Sequence, residues 1–174
     1  FNSGREMTMR RVLDVTGGTR TADARARYLG GLESVDQVSN RMGRVAAEFS
    51  LLDSFWYDAQ TITSQPRSGS FSIDVQGDAP TTKVNIAFSG GTTQRLTNYT
   101  SGDWVQFNGT TTANDAVLKV DLFTATQNAA NVISSVEANT ANSSFYWMVL
   151  LPGVNTFTLT GGGTVDLVYS AAWL

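Results

Sequence analysis

The sequence contains no cysteine and no histidine. These absences exclude disulfide bonds, thiol nucleophiles, zinc sites of the usual kind and every acid–base mechanism that depends on histidine. Proline is scarce, with three residues, and charged residues make up only 16% of the chain, against about 25% in an average soluble protein. Long helices need charged faces toward solvent, whereas strands can present threonine, serine and asparagine there. The composition therefore favours strands and turns, and with them an all-β fold.

Positive charge is also in short supply, because the formal net charge is −3 at pH 7. A chain without a basic field does not attract polyanions, so we expect no specific nucleic-acid binding. No apolar run approaches the roughly 20 residues that a membrane-spanning helix requires, so we expect no membrane insertion. The first residue is Phe1 rather than methionine and no signal-like segment follows it, so we expect further sequence upstream.

Charge is distributed unevenly along the chain. Residues 1–60 carry eight arginines and eight acidic residues, whereas residues 61–174 carry four basic and seven acidic residues. The change falls at residues 61–70, a stretch that contains proline, glycine and serine and is typical of a linker. We therefore predict two structural units, residues 1–60 and 71–174, joined by a linker at residues 61–70.

The first unit is predicted to contain three strands. Apolar and polar residues alternate along residues 7–15, and again along residues 24–32 after a Gly-Gly turn at residues 17–18. Residues 44–52 form the third candidate strand. Apolar residues in segment 33–42 have near-helical spacing, so a short helix competes with a long hairpin loop there. The glycines that bracket the segment favour the loop.

Short strands separated by turn signals fill the second unit, a pattern typical of an antiparallel β-sandwich. In each strand the apolar residues occupy every second position, so they share one face of the strand. The residues predicted to share a face within their strand are Phe71, Ile73 and Val75; Val84, Ile86 and Phe88; Val105 and Phe107; Leu118, Val120 and Leu122; Phe157 and Leu159; and Val165, Leu167 and Tyr169.

The last three strands are predicted to form an antiparallel meander of residues 145–151, 154–160 and 164–170. Pro152-Gly153 fits a type II turn between the first two, and glycines 161–163 fit a hairpin turn between the last two. The first strand is apolar on both faces, so we expect it to be covered on both sides, by the opposite sheet and by something else.

Two motifs resemble chemical sites but are better explained by turns. The triple glycine is not followed by the Lys-Ser/Thr and helix that a phosphate-binding loop requires. The pairs Asp74/Asp78 and Asp53/Asp58 are candidate carboxylates for glycoside hydrolysis or calcium, yet they flank predicted turns, and neither an aromatic cleft nor a spaced calcium ladder accompanies them. We therefore predict no catalytic, metal or cofactor site, and a protein that is not an enzyme.

Six arginines lie among the first 27 residues and are opposed by only three acidic residues. They could line a charged surface or form ion pairs between subunits. A solvated strand face accounts for them equally well.

Aromatic residues supply the candidate contact positions. Exposed aromatic rings can stack on sugars, although such residues more often pack in a core or an interface. Trp104 lies on the polar phase of its strand, because Val105 and Phe107 define the inward phase, and it is the best single candidate for an exposed contact. The full set of candidate interface or contact residues is Phe55, Trp56, Tyr57, Trp104, Tyr146 and Trp173.

The end of the chain resembles the C-terminus of siphophage distal tail proteins and related minor tail proteins. Residues 143–174 contain, in order, an aromatic-rich strand, a Pro-Gly-x-Asn turn, a strand of alternating threonines, a glycine turn and a Val/Tyr strand that ends in Trp173-Leu174. Residues 44–58 are similar to the strand that closes the ring domain of that family. The family usually has Asp-Pro in this strand, where this chain has Asp53-Ser54.

The resemblance implies the later strands of a ring-forming domain over residues 1–60, followed by a galectin-like or jelly-roll-like sandwich at residues 71–174. It further implies a homo-oligomeric ring of six copies in the virion, at the tail tip or baseplate, between the tail tube protein and the tail-tip hub protein. No catalytic residue is carried over, because the family is structural. The alternative is a carbohydrate-binding module for host attachment, with a host glycan as ligand and Trp104 or other loop aromatics as its platform.

Overall fold

The computed structural model describes residues 6–15, 18–30, 36–39, 42–44, 48–51, 55–139 and 147–174. Regular structure in these residues consists of β-strands and one short 3-10 helix, Ile133–Ser135, and they include no α-helix. The prediction of an all-β fold is therefore confirmed. The chain divides into two compact units, Phe1–Ala59 and Gln60–Leu174. No helix in the described part of the chain is long and apolar enough to cross a membrane.

Antiparallel strands make up the described part of the first unit. They are β1 (Glu6–Val15), β2 (Gly18–Gly30), β3 (Asp36–Ser39), β4 (Met42–Arg44), β5 (Glu48–Leu51) and β6 (Trp56–Asp58). β2 is the central strand, because it pairs with β1, β5 and β6, while β3 pairs with β4. Alternate residues of β2, Ala22, Ala24 and Ala26, are buried, so the periodicity of this strand reflects one buried and one exposed face.

The first unit differs from its prediction in three places. Arg44, predicted to begin the third strand, ends β4 instead, and β5 begins at Glu48. β2 begins at Gly18 instead of residue 24, because it pairs with β1 from Val15↔Gly18 onward. The loop favoured for residues 33–42 is wrong where the structure describes the segment, since Asp36–Ser39 is a strand that pairs with β4. The strand forms because pairing with β4 satisfies its backbone hydrogen-bonding groups. The spacing of apolar residues carries no information about such pairing.

The second unit is a sandwich of two antiparallel sheets. The strands of these sheets are β7 (Ile62–Thr63), β8 (Ser70–Val75), β9 (Val84–Ser89), β10 (Thr92–Asn98), β11 (Asp103–Thr110), β12 (Ala116–Lys119), β13 (Thr124–Gln127), β14 (Ala130–Asn131), β15 (Val136–Asn139), β16 (Gly153–Thr160) and β17 (Thr164–Tyr169). A short strand outside both sheets, β18 (Ala172–Trp173), follows β17. The front sheet has the order β15-β11-β10-β16-β8, and the back sheet has the order β14-β13-β12-β9-β17-β7.

One hydrophobic core lies between the two sheets and receives the inward faces of their strands. Phe107 and Phe157 enter it from the front sheet, and Phe88, Leu118 and Tyr169 enter it from the back sheet. Complete burial of each such side chain contributes roughly 1.5–3 kcal/mol. The predicted faces are correct with one exception. Leu122 is 60% exposed, because β12 ends at Lys119 and Leu122 lies in the following turn.

The predicted closing meander is wrong. β16 pairs with β10 and β8 in the front sheet, whereas β17 pairs with β9 and β7 in the back sheet. Glycines 161–163 therefore cross from one sheet to the other instead of forming a hairpin. All three have positive φ, at 89°, 77° and 69°, a conformation that glycine adopts without the steric strain of a side chain.

The first strand of that predicted meander is also corrected. Residues 140–146 lie outside the described residues, and residues 147–151 form no strand apart from a single bridge between Leu150 and Thr81. Residues 147–151 are named the cap segment below. Gly153, by contrast, has a φ of 83°, as expected for the second corner of the Pro152-Gly153 turn.

The segment predicted as a linker, residues 61–70, is paired to the sandwich. β7 pairs with β17, and the backbone N–H groups of Ser64 and Arg67 donate to the carbonyls of Leu167 and Val165 at 2.8 and 3.0 Å. Linker-like composition did not prevent this pairing, because an edge strand needs only backbone groups to extend a sheet.

Candidate functional site

The sandwich has two unlike ends, and the first consists of glycine and polar residues. At this glycine end, residues 90–91, 111–115 and 161–163 each connect the two sheets. The buried Gln94 side chain holds them together, because its Nε2 donates to the carbonyls of Gly162 at 2.8 Å and Ser89 at 3.1 Å. Its Oε1 accepts a 2.5 Å hydrogen bond from the Thr111 hydroxyl. One amide side chain thus satisfies three neighbouring connections.

Buried polar side chains also hold the cap segment at the opposite end. Asp103 Oδ2 accepts a 3.0 Å hydrogen bond from the Val149 N–H, and Asn98 Nδ2 donates to the Val149 carbonyl at 3.2 Å. Asn155 accepts from the Leu151 N–H at 3.1 Å and donates to the Leu151 carbonyl at 2.6 Å. These side chains replace the strand partners that the sequence analysis expected for the segment.

The cap segment closes the core at its end of the sandwich, where several exposed apolar side chains also lie. Met148 and Leu150 are fully buried in the core, while Trp147 is half-buried and meets Phe123 edge-to-face at 5.7 Å. Four exposed apolar side chains lie on turns or strand ends at the same end of the sandwich, and they are named the apolar rim: Tyr99, Leu122, Phe123 and Val154. Clustered exposed apolar residues are typical of protein interaction sites.

A second candidate surface is the outer face of the front sheet. Trp104 lies there on the outward phase of β11, as its sequence phase predicted, and it is half-buried. The guanidinium carbon of Arg95 lies 3.9 Å from the centroid of the indole ring, a cation–π contact. Further along β11, Gln106 Nε2 donates to Asn108 Oδ1 at 2.5 Å, and Asn108 Nδ2 donates to Glu137 Oε1 at 2.7 Å.

The other aromatic candidates lie elsewhere. Phe55, Trp56 and Tyr57 are half-buried in or beside β6 of the first unit, and the guanidinium carbon of Arg11 lies 5.0 Å from the Trp56 ring centroid. Trp173 is half-buried in β18. Tyr146 lies outside the described residues. Their role as contact residues stays a prediction.

Two arginines of the first unit meet acidic partners within the β1–β2 hairpin. Arg10 makes two 2.8 Å hydrogen bonds to the Asp23 carboxylate, and Arg27 lies 3.5 Å from Glu6. Each pair joins opposite residues of the two strands. Exposed pairs of this kind contribute little to stability, because water and salt screen them. They do, however, neutralise part of the positive charge that the sequence concentrates here.

The carboxylates of the pair Asp74 and Asp78 each accept a hydrogen bond. Asp74 Oδ2 accepts from Gln76 at 3.4 Å, and Asp78 Oδ1 accepts from the Leu174 N–H at 2.8 Å. Asp53 lies outside the described residues. The described residues include no group of three or more acidic side chains placed to hold a metal ion.

The sequence analysis did not anticipate the polar groups that fasten the two ends. Gln94 and Asn98 lie in β10, a strand the alternation did not identify because threonine, glutamine and asparagine interrupt its apolar phase. Both lie on the inward phase of the strand, and this position was the one sequence signal that could have identified them as buried.

No protein-family model matches the chain, and no curated protein matches it. A solved structure does. The chain is similar to the Dit (gp 19.1) protein of phage SPP1, described as a paradigm of the hub adsorption apparatus in phages that infect Gram-positive bacteria. The TM-score is 0.59 at 12% sequence identity, and the match covers 99% of this chain and 90% of that one. At this identity the likeness establishes the fold, which is that of the Dit protein across nearly the whole chain.

Proposed function

We propose that the chain is a structural subunit of a bacteriophage tail tip or baseplate, and that it forms an oligomeric ring between the tail tube and the distal hub. The observation that carries the proposal is the fold shared with a hub adsorption protein over 99% of this chain. The sequence features of residues 44–58 and 143–174 support it independently, since they resemble the distal tail family in motif order. The galectin-like relationship of the sandwich belongs to the same proposal.

The apolar rim supports a function that depends on assembly. A stable interface buries about 1,600 Å² in total and has an apolar centre with a polar border. Val154 and Tyr99 are 61% and 66% exposed. A partner that covered them would stabilise the complex, because apolar surface would be removed from water. The glycine end offers no comparable side chains, so we assign the principal subunit or hub contact to the cap end.

Oligomeric state tests the proposal. The purified chain is examined by light scattering and negative-stain microscopy over a range of micromolar concentrations, and we expect a ring. Val154→Asp and Leu122→Asp should shift the population toward monomers, because each places a charge in the interface. Ala129→Asp, at an exposed turn near the glycine end, is the matched control and should leave the ring intact.

Location in the particle is the second part of the test. Antibodies against the chain should label the distal end of the tail in micrographs of the phage that carries it. A strictly monomeric protein, together with an absence of label at the tail tip, would contradict the proposal.

A further inference from the structure

We propose that the outer face of the front sheet binds a neutral saccharide, with Trp104 as the stacking platform. The binding surface consists of Trp104, Arg95, Gln106, Asn108 and Glu137 and is named the Trp104 face. This function goes beyond assembly, because a ring subunit can form its contacts without any small ligand.

The strand register brings these five side chains together. Trp104, Gln106 and Asn108 occupy successive outward positions of β11, about 7 Å apart. Gln106 lies opposite Arg95 on β10 and opposite Glu137 on β15. The five residues therefore form one continuous patch across three adjacent strands, on rigid elements of the sheet.

Trp104 supplies the apolar surface of this patch. Among the outward positions of the five front-sheet strands it is the only aromatic residue, and the outward positions of β9, β12, β13 and β17 on the back sheet contain none. Stacking with Arg95 at 3.9 Å restricts the orientation of the indole. A ring held in place loses less conformational entropy when a ligand binds than a freely rotating one.

The polar residues form a directional chain with hydrogen-bonding capacity left over. Gln106 donates to Asn108, and Asn108 donates to Glu137. Each amide nitrogen retains a second N–H, while Gln106 Oε1 and Glu137 Oε2 remain as acceptors. A second oxygen or hydrogen on each group can therefore bind a ligand without breaking the existing chain.

This chemistry matches a saccharide better than other planar or ring ligands. A pyranose presents an apolar C–H face to an aromatic ring and hydroxyl groups, which both donate and accept, to amides and carboxylates. Arg95 and Glu137 offset each other in charge, and the chain has a net charge of −3, so the face favours a neutral ligand. Nucleic acid requires several cations beside the stacking ring, and this face offers one.

The test uses the full chain and an array of neutral hexose and N-acetylhexosamine oligosaccharides, with calorimetric titration of those that bind. We expect Trp104→Ala to lower the affinity by about tenfold or more, as truncation of a central aromatic anchor does. Asn108→Ala should also weaken binding, because it removes the middle of the polar chain. Both residues are outward-facing, and circular dichroism should record unchanged folding.

Matched controls separate the face from the rest of the molecule. Tyr99→Ala removes an exposed aromatic residue at the cap end, and Thr126→Ala changes an outward residue of the back sheet; neither should alter binding. The proposal is overturned if no saccharide binds, or if binding is unaffected by both Trp104→Ala and Asn108→Ala. Trp104-dependent binding of a single-stranded oligonucleotide, without saccharide binding, would also overturn it.

Ring formation is measured on the same samples, so the two proposals can fail separately. A monomer that binds saccharide through Trp104 would contradict the assembly role alone. A ring that binds none, and that dissociates on Trp104→Ala, would identify the face as a subunit contact and would contradict saccharide binding alone.

Discussion

The glycine end and the cap end of the sandwich solve the same problem in different ways. Each must satisfy backbone groups of connecting segments that lie outside the two sheets, and each uses buried amide side chains to do so, Gln94 at one end and Asn98 and Asn155 at the other. The connections at the glycine end, residues 90–91, 111–115 and 161–163, expose no large apolar side chain. The cap end exposes the apolar rim. One end is complete in itself, whereas the other gains from a partner.

The largest expected effect comes from the glycine end. In Gly163→Ala the new Cβ would overlap the Ser89 carbonyl oxygen, and in Gly162→Ala it would meet nothing within 4 Å, although both glycines have positive φ. We expect Gly163→Ala to destabilise the fold by more than about 4 kcal/mol. Gly162→Ala should cost only about 1–2 kcal/mol, the strain of a left-handed non-glycine residue. Urea unfolding measures both.

The difference in stability between these two alanine variants separates the effect of steric overlap from the effect of backbone strain, because both positions have positive φ and only one is crowded. If the two variants were equally stable, the close approach of the sheet-crossing segments would not hold the glycine end together.

An intermediate effect is expected at the cap end. Asn155→Ala leaves the backbone N–H and carbonyl of Leu151 without their side-chain partner, which should cost about 2–4 kcal/mol. Hydrogen exchange should then increase within residues 147–151 before it increases in β16. Thr156→Ala, at the adjacent outward position, is the control and should change stability by less than about 1 kcal/mol. Unchanged exchange in the cap segment would mean that Met148 and Leu150 hold it without the asparagine.

The smallest effect is expected from the charge of Asp166, which we predict to destabilise the fold at neutral pH. Burial, and secondarily the nearby Asp115 carboxylate, raise the pKa of Asp166 above its ordinary value, and Asp166 Oδ1 is buried without a hydrogen-bond partner. Relative to the unfolded state, the folded state therefore favours the protonated form of this acid. The contribution of this residue to stability is greatest at acidic pH and is lost as the pH rises through its folded pKa.

Asp166→Asn should accordingly raise the melting temperature at neutral pH. The increase in the free energy of unfolding should be less than about 1 kcal/mol, because the group is partly exposed. Below the ordinary aspartate pKa the variant and the parent should melt alike. An equal difference at both pH values would indicate a packing effect of the substitution instead of a charge effect.

The sequence predicted the faces of the strands better than their partners. Val84, Ile86 and Phe88 of β9 and Val165, Leu167 and Tyr169 of β17 are buried as the alternation indicated, because period-two burial is a local property of a strand. The same alternation does not say which strand pairs with which. The pattern therefore predicts a hairpin of β16 and β17, although a glycine run with positive φ serves equally well for a crossing between sheets.

The two candidate surfaces were predictable to different degrees. The outward phase of Trp104 follows from its neighbours Val105 and Phe107, and Asn108 shares that phase within β11. Arg95 and Glu137 come from two other strands and join them only through the register. The sequence pattern predicts the cap segment as a strand covered on both faces. Its partners are the backbone of Thr81 and side chains from β10, β11 and β16, and hydrogen bonds from side chains leave no periodic pattern in the sequence.

By itself, then, the sequence determined an all-β chain, the inward face of most strands and the absence of cysteine and histidine chemistry, because composition and period-two patterning act locally. Only the tertiary structure decided that β16 and β17 belong to opposite sheets, that residues 147–151 cap the core, and that one end of the sandwich is polar while the other exposes an apolar rim. These features depend on hydrogen bonds and contacts between residues far apart in the chain. Residue identity does not predict them, because backbone groups of strands can pair whatever most of the side chains are.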